Sequence, residues 1–106
     1  MNTYTLEQFI KNIENRKNMN YNDIVVIEFE ELNFKKKNNE EELFEYTLDN
    51  KKYDIYIILN NNNKFVISVI VSGVEFEIGE VIKITQSPVK YIVNLDCDCK
   101  FYNNKK

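Results

Sequence analysis

The stretch from Asp96 to Cys99 contains residue types that could bind a metal ion, because two carboxylates alternate with two thiols. A structural zinc site needs thiolate or imidazole ligands that converge tetrahedrally. The chain has two cysteines and no histidine, and in a strand the alternation sends carboxylates to one face and thiols to the other. We therefore interpret Cys97 and Cys99 as small core residues, and we expect no metal and no cofactor.

Residues for nucleophilic or acid–base catalysis are scarce. Histidine is absent, and none of the serines, Ser68, Ser72 and Ser87, has the sequence context of a nucleophile elbow. Carboxylate pairs recur at strand spacing, but on what should be an open sheet face, whereas a catalytic carboxylate pair works across a cleft. The sequence therefore predicts a protein that is not an enzyme, with a carboxylate enzyme as a residual alternative.

Acidic side chains are concentrated on one face of the expected strands, where only Lys52, Lys83 and Lys100 oppose them. The acids that point away from the main apolar set are Glu28, Glu30, Glu45, Asp54, Glu75, Glu77, Asp96 and Asp98. Solvated strand faces are often charged, so the pattern also has a purely structural interpretation. The functional interpretation is an interaction surface for a basic region of another protein, with Tyr56 as an aromatic anchor.

Charge and composition narrow the class of partner. The formal net charge of −3 over 106 residues argues against direct nucleic-acid binding, which depends on lysines and arginines that neutralise phosphates. The first residues lack a signal-peptide pattern, and the longest apolar runs are too short to span a bilayer. We expect a cytoplasmic protein with no membrane partner. Its richness in Asn, Lys and Ile is typical of AT-rich coding sequences and suggests a low-GC bacterium or its phage.

The elements that must position these residues begin with a helix at about residues 5–16. Thr5 and Gln8 have the spacing of a capping box, in which each side chain bonds the backbone amide of the other residue. The following apolar residues recur at the spacing of one helical face, namely Leu6, Phe9, Ile10 and Ile13.

Strands are expected over the rest of the chain, at about residues 23–30, 42–48, 52–59, 64–72, 74–85 and 90–102. Gly79 should bend the fifth strand, and the lysines at 35–37 should form a charged loop. The resulting fold class is α+β: one domain over residues 1–106, with the amphipathic helix packed on a strongly bent antiparallel sheet of six or seven strands. The sheet could be a meander, barrel-like or sandwich-like.

A second apolar set lies opposite the first on the central strands and includes Tyr56, Ile58, Val66 and Ile70. Either the sheet curls and hides both sets, which we favour, or a second molecule covers the exposed one. The leading functional hypothesis is a small protein-binding module, such as a phage or mobile-element inhibitor or immunity-type protein, that occludes a basic surface of its target. The alternative is a homo-oligomeric scaffold protein, for instance a homodimer, paired through the second apolar face.

Overall fold

The helix α1 (Leu6–Glu14) begins where the sequence predicts, in the computed structural model that describes residues 1–96, 100 and 101. The Gln8 amide donates to Thr5 Oγ1 at 3.1 Å, and the Thr5 amide donates to Gln8 Oε1 at 2.9 Å, so the capping box is confirmed. The helix ends two residues before the expected position, and Arg16 then adopts a left-handed backbone at φ 54°. Its apolar face is buried, as predicted, through Leu6, Phe9, Ile10 and Ile13.

The described residues form a small α+β domain in which α1 packs on one strongly curled sheet of eight strands, a half-barrel. The strands are β1 (Thr3–Thr5), β2 (Ile24–Glu28), β3 (Leu32–Lys37), β4 (Glu41–Leu48), β5 (Lys51–Leu59), β6 (Phe65–Val71), β7 (Val74–Thr85) and β8 (Lys90–Leu95). Their order in the sheet is β1-β2-β8-β7-β6-β5-β4-β3. A 3-10 turn, Phe29–Glu31, carries the chain from β2 to β3, which lie near opposite edges of the sheet.

Three features of the expected sheet were wrong. The described residues form eight strands rather than six or seven. The sheet is mixed rather than wholly antiparallel, because β1 pairs parallel to β2 with Thr3 opposite Ile24. The segment expected to be a charged loop, Lys35–Lys37, lies in β3, which pairs antiparallel with β4. β1 pairs with residues distant in sequence, and β3 pairs in a hairpin with β4 without an apolar alternation of its own, so local pattern indicates neither strand. The expected continuation of the last strand to residue 102 falls mostly outside the described residues.

Gly79 bends β7 as predicted and helps the sheet to curl. The register between β6 and β7 shifts at this point, so that Ile67 lies opposite Gly79 and Ser68 lies opposite Glu77. The backbone of Gly79 has a φ of +149°, and a Cβ there would overlap the carbonyl oxygen of Asn94. Only glycine fits this close approach of β7 to β8.

The curl gives the sheet a buried concave face and an open convex face. The concave face and α1 share one core, which includes Val25, Phe44, Ile55, Val69 and Val93. We expected the curl to hide both apolar sets, but it does not. The second set lies on the convex face and is only half-buried, at Tyr56, Ile58, Val66 and Ile70. A single curled layer has one inside, so its convex face stays open.

Membrane insertion by helix finds no support in the described part of the chain. The nine residues of α1 fall well short of the length that a bilayer requires, and no described helix has the length and apolarity to cross one.

Candidate protein-interaction surface

Strand register assembles the predicted surface into rows that cross β4, β5, β6 and β7 on the convex face. One row consists of Glu45, Asp54, Ile70 and Glu75. The next row consists of Leu43, Tyr56, Ser68 and Glu77. A third consists of Glu41, Ile58, Val66 and Glu80. Strands lie about 4.8 Å apart, so each row is roughly 15 Å long.

Five of the six row ends are acidic, and the positions between them are apolar except at Asp54 and Ser68. We call the apolar part the apolar strip; it comprises Leu43, Tyr56, Ile58, Val66 and Ile70, all half-buried. Tyr56 is the central aromatic residue and lies between Leu43 on β4 and the buried Ser68 on β6. An apolar centre with a charged border is the usual anatomy of a protein interface.

Like charges face each other at one end of the rows. Glu45 on β4 lies directly opposite Asp54 on β5, an arrangement that destabilises a sheet unless a cation is near. Lys35 supplies that cation, since its Nζ lies 3.9 Å from Glu45 Oε2 and 3.4 Å from Asp54 Oδ1. The bulge at Lys35 in β3 places this side chain beside both carboxylates.

A second acidic group lies at the opposite end of the rows. Glu77 on β7 shares a hydrogen bond with the carboxyl group of Asp96, just after β8, and Glu75 is close by. The shared hydrogen bond, partial burial and the negative charges of Asp96 and Glu75 together raise the pKa of Glu77 to about 7. A carboxyl group with this pKa could exchange protons near neutral pH, but Glu77 and Asp96 are exposed on the convex face.

Some predicted members of the surface lie elsewhere. Glu30 is in the 3-10 turn, and Glu28 lies at the far end of β2, where its Oε1 is 3.4 Å from Lys90 Nζ. A hydrogen bond from Glu31 and the charge of Lys90 lower the pKa of Glu28. Asp98, together with the cysteines at 97 and 99, lies outside the described residues.

Two acids of the surface were missed in the sequence. Glu41 lies opposite Ile58, and Glu80 lies opposite Val66. The extra residue of the bulge at Gly79 returns Glu80 to the convex face, which simple alternation after Glu75 and Glu77 does not anticipate. Gly79, a glycine within a strand, could have indicated the bulge that moves Glu80 to this face.

The concave side holds an aromatic cluster at its open rim that sequence analysis also missed. Phe29 packs against Phe44 and Tyr91, with ring centroids 5.0 and 5.2 Å away, and Phe34 meets the edge of Phe44 at 5.3 Å. Burial and the charge of Glu42 raise the pKa of Tyr91. Phe34 in β3 is 58% exposed, so part of this aromatic cluster faces solvent. The 3-10 turn brings these residues together, and their sequence spacing carries no sign of it.

The described residues contain no group of three or more histidine, cysteine or carboxylate side chains arranged to hold a metal ion. The carboxylates of the surface can accept hydrogen bonds and form ion pairs, and the apolar strip offers contact area.

Comparisons with protein-family models, with curated proteins and with solved structures returned no match to this chain, so its function has to be argued from the residues and their geometry.

Proposed function

We propose that this protein is a small, non-enzymatic, cytoplasmic binding module whose convex sheet face covers a basic surface of another protein. It would act by occlusion, as an inhibitor or immunity-type protein encoded by a phage or mobile element does. The observation that carries the proposal is the placement of an apolar strip between carboxylates on one open face of the sheet.

Charge supports a basic partner. The rows carry Glu41, Glu45, Asp54, Glu75, Glu77 and Glu80. Lys35 is shared by two of these acids, and Lys64 Nζ lies 3.5 Å from Glu80 Oε1. The carboxylates still outnumber the cations beside them, so lysines or arginines of a partner would find unneutralised charge. Such complementarity speeds association and selects the partner.

Affinity would come mainly from the apolar strip. Tyr56 has the properties of an interface anchor, since it combines a large apolar ring with a polar tip and sits at the centre of the strip. Its neighbours Ile58 and Val66 are aliphatic and pair across β5 and β6. Carboxylates at the rim would then fix orientation, as polar groups do around a buried interface core.

Affinity capture from the cells that make the protein tests this proposal. The wild-type protein should retain a basic protein that Glu75→Lys/Glu77→Lys fails to retain. The control, Glu7→Lys/Glu30→Lys, changes net charge equally at exposed residues of α1 and the 3-10 turn, and it should retain the partner. Loss of the partner with both variants, or with neither, would contradict an acidic convex site.

The second candidate is a homo-oligomeric scaffold protein paired through the same strip. It is favoured by one observation, the half-exposure of the apolar strip. Two acidic rims would repel each other in such a pair, which is why we place this candidate second. Light scattering at micromolar concentration distinguishes the two: a dimer that Tyr56→Glu converts to monomer supports pairing, and a monomeric wild-type protein excludes it.

A further inference from the structure

The free edge of β3 differs from the rest of the surface in two ways: its charge is positive, and its outer backbone groups have no described strand beside them. β3 ends the sheet order and pairs only with β4 among the described strands. An edge strand presents backbone amide and carbonyl groups that have no partner on its outer side. Residues 33–37 of β3 are exposed, whereas the strand at the other edge, β1, has three residues and adjoins α1.

Lysines make this edge positive. Lys35 and Lys37 already contact carboxylates of the same sheet, the latter with its Nζ 3.7 Å from Glu42 Oε1. Lys36 makes no ion pair with any described residue, so its charge is available to a partner. A strand added outside β3 would lie about 4.8 Å from these lysines and about twice that distance from the acids of β4, so it would experience a net attraction for negative charge.

Phe34 argues against a purely protective role for the lysines. Lysine on an edge strand commonly prevents unwanted pairing, but an edge built only for protection would not also carry an aromatic side chain that is 58% exposed. Phe34 touches Phe44 on one side. Its remaining surface is positioned to receive an apolar side chain from a strand lying alongside β3.

We propose that β3 accepts an extended acidic segment of another protein as an additional strand, with a carboxylate beside Lys36 and an apolar side chain on Phe34. Backbone hydrogen bonds would supply affinity, and the alternating side chains would supply specificity. A second copy of this chain fits poorly, because registers centred on Lys35 or Lys36 place lysine directly opposite lysine. This site borders the convex face, since Lys36 is paired with Leu43 of the apolar strip, but it requires a partner of opposite charge.

A synthetic peptide of alternating sequence, Glu-Val-Glu-Phe-Glu-Val with blocked termini, is a suitable probe. It should bind the full chain, and it should slow amide hydrogen exchange at residues 33–37. Lys36→Glu and Phe34→Ala should each weaken binding about fivefold, the effect of losing one cross-strand pair. Lys83→Glu, an equal charge change at an exposed position on β7, should bind like the wild type. Circular dichroism checks that each variant is folded.

Four results would overturn the proposal. The first is slowed exchange elsewhere in the sheet but not at residues 33–37. The second is equal weakening by Lys83→Glu and Lys36→Glu, which indicates general charge attraction. The third is equal binding of a peptide in which lysine replaces each glutamate. Peptide-induced dimerisation through two β3 edges would also contradict the single added strand.

Discussion

Glu45 and Asp54 lie directly opposite each other on β4 and β5, and the ammonium group of Lys35 lies within 4 Å of both carboxylates. Facing carboxylates cost stability, and Lys35 offsets that cost. This trio links the charge arrangement of the convex face to the stability of the fold. It also provides a test of the charge arrangement that does not require a partner.

Lys35→Ala should lower the free energy of unfolding by about 0.5 to 1 kcal/mol at low salt, because it leaves the two carboxylates without their shared cation. Urea denaturation measures this loss. Added NaCl should reduce it by screening the repulsion. Lys35→Ala/Glu45→Gln should recover most of the stability, and a double variant as unstable as Lys35→Ala would contradict the account.

Gly79→Ala should destabilise the protein by about 3 kcal/mol or more, or prevent folding, because the added Cβ meets the backbone of Asn94. Gly73→Ala is the matched control. Gly73 also has a positive φ, of +79°, but a Cβ there meets no atom within 4 Å, so only the backbone cost of about 1 to 2 kcal/mol applies. Thermal unfolding compares the two, and equal losses would refute the close approach.

Asp23 holds the first residues against the sheet through hydrogen bonds. Its replacement should therefore change how the stability of the fold depends on pH. The side chain is 2% exposed and accepts hydrogen bonds at 3.0 Å from the Asn2 amide, the Asn20 amide and the Tyr4 hydroxyl. Burial by itself would raise the pKa of Asp23, but these hydrogen bonds and the N-terminal amine outweigh it and lower the pKa. The carboxylate therefore stabilises the fold above its unfolded-state pKa of about 3.9.

Asp23→Asn should accordingly cost about 2 kcal/mol near neutral pH. The difference from wild type should shrink as pH falls below about 4, because Asp23 is protonated first in the unfolded chain and, at lower pH, in the folded protein as well. Asp49→Asn, at an exposed turn residue, should change stability little throughout. Denaturation at a series of pH values decides the matter, and a cost for Asp23→Asn that stays constant from neutral to acid pH would rule out the ionised network.

The contribution of Glu77 to stability should depend on pH in the opposite direction from that of Asp23. Its folded-state pKa of about 7 lies above the usual value of 4.5, so its contribution is fully present below about pH 4.5 and is lost as pH rises through 7. Glu77→Gln removes the titrating group. The variant should match the wild type in melting temperature at acid pH and exceed it at pH 8. Parallel melting curves across this range would mean that Glu77 and Asp96 do not share a proton.

The sequence was sufficient to predict the elements whose residues carry a local signal. The capping pair Thr5 and Gln8 marked the start of α1, and Gly79 marked the bend. Alternating residues marked β4, β5 and β7, and a continuous apolar run marked β6. β1 was missed because it pairs with a strand distant in sequence, and β3 was missed because its hairpin with β4 carries no apolar alternation. Lys35 to Lys37 contain nothing apolar to bury, and an edge strand needs only backbone hydrogen bonds.

The acidic character of the candidate site was predictable from the sequence, but the set of residues that form it was not. Alternation placed Glu45, Asp54, Glu75 and Glu77 on one face, and register then brought them around Tyr56. Glu28 and Glu30 were assigned to the same face but lie apart from it, because β2 is separated from β7 by β8 and the 3-10 turn interrupts the strand. Sequence alternation indicates the face of a residue within its strand, whereas strand order decides which faces adjoin.

The central claim, recognition by the acidic convex face, is tested most directly by the dissociation constant of the captured partner as a function of NaCl concentration. We expect the wild-type affinity to fall as salt rises and Glu75→Lys/Glu77→Lys to weaken binding about tenfold or more at low salt. Glu7→Lys/Glu30→Lys should remain within about twofold of the wild type, because its charges lie away from the apolar strip. An affinity that is independent of salt and unchanged by Glu75→Lys/Glu77→Lys would contradict the account.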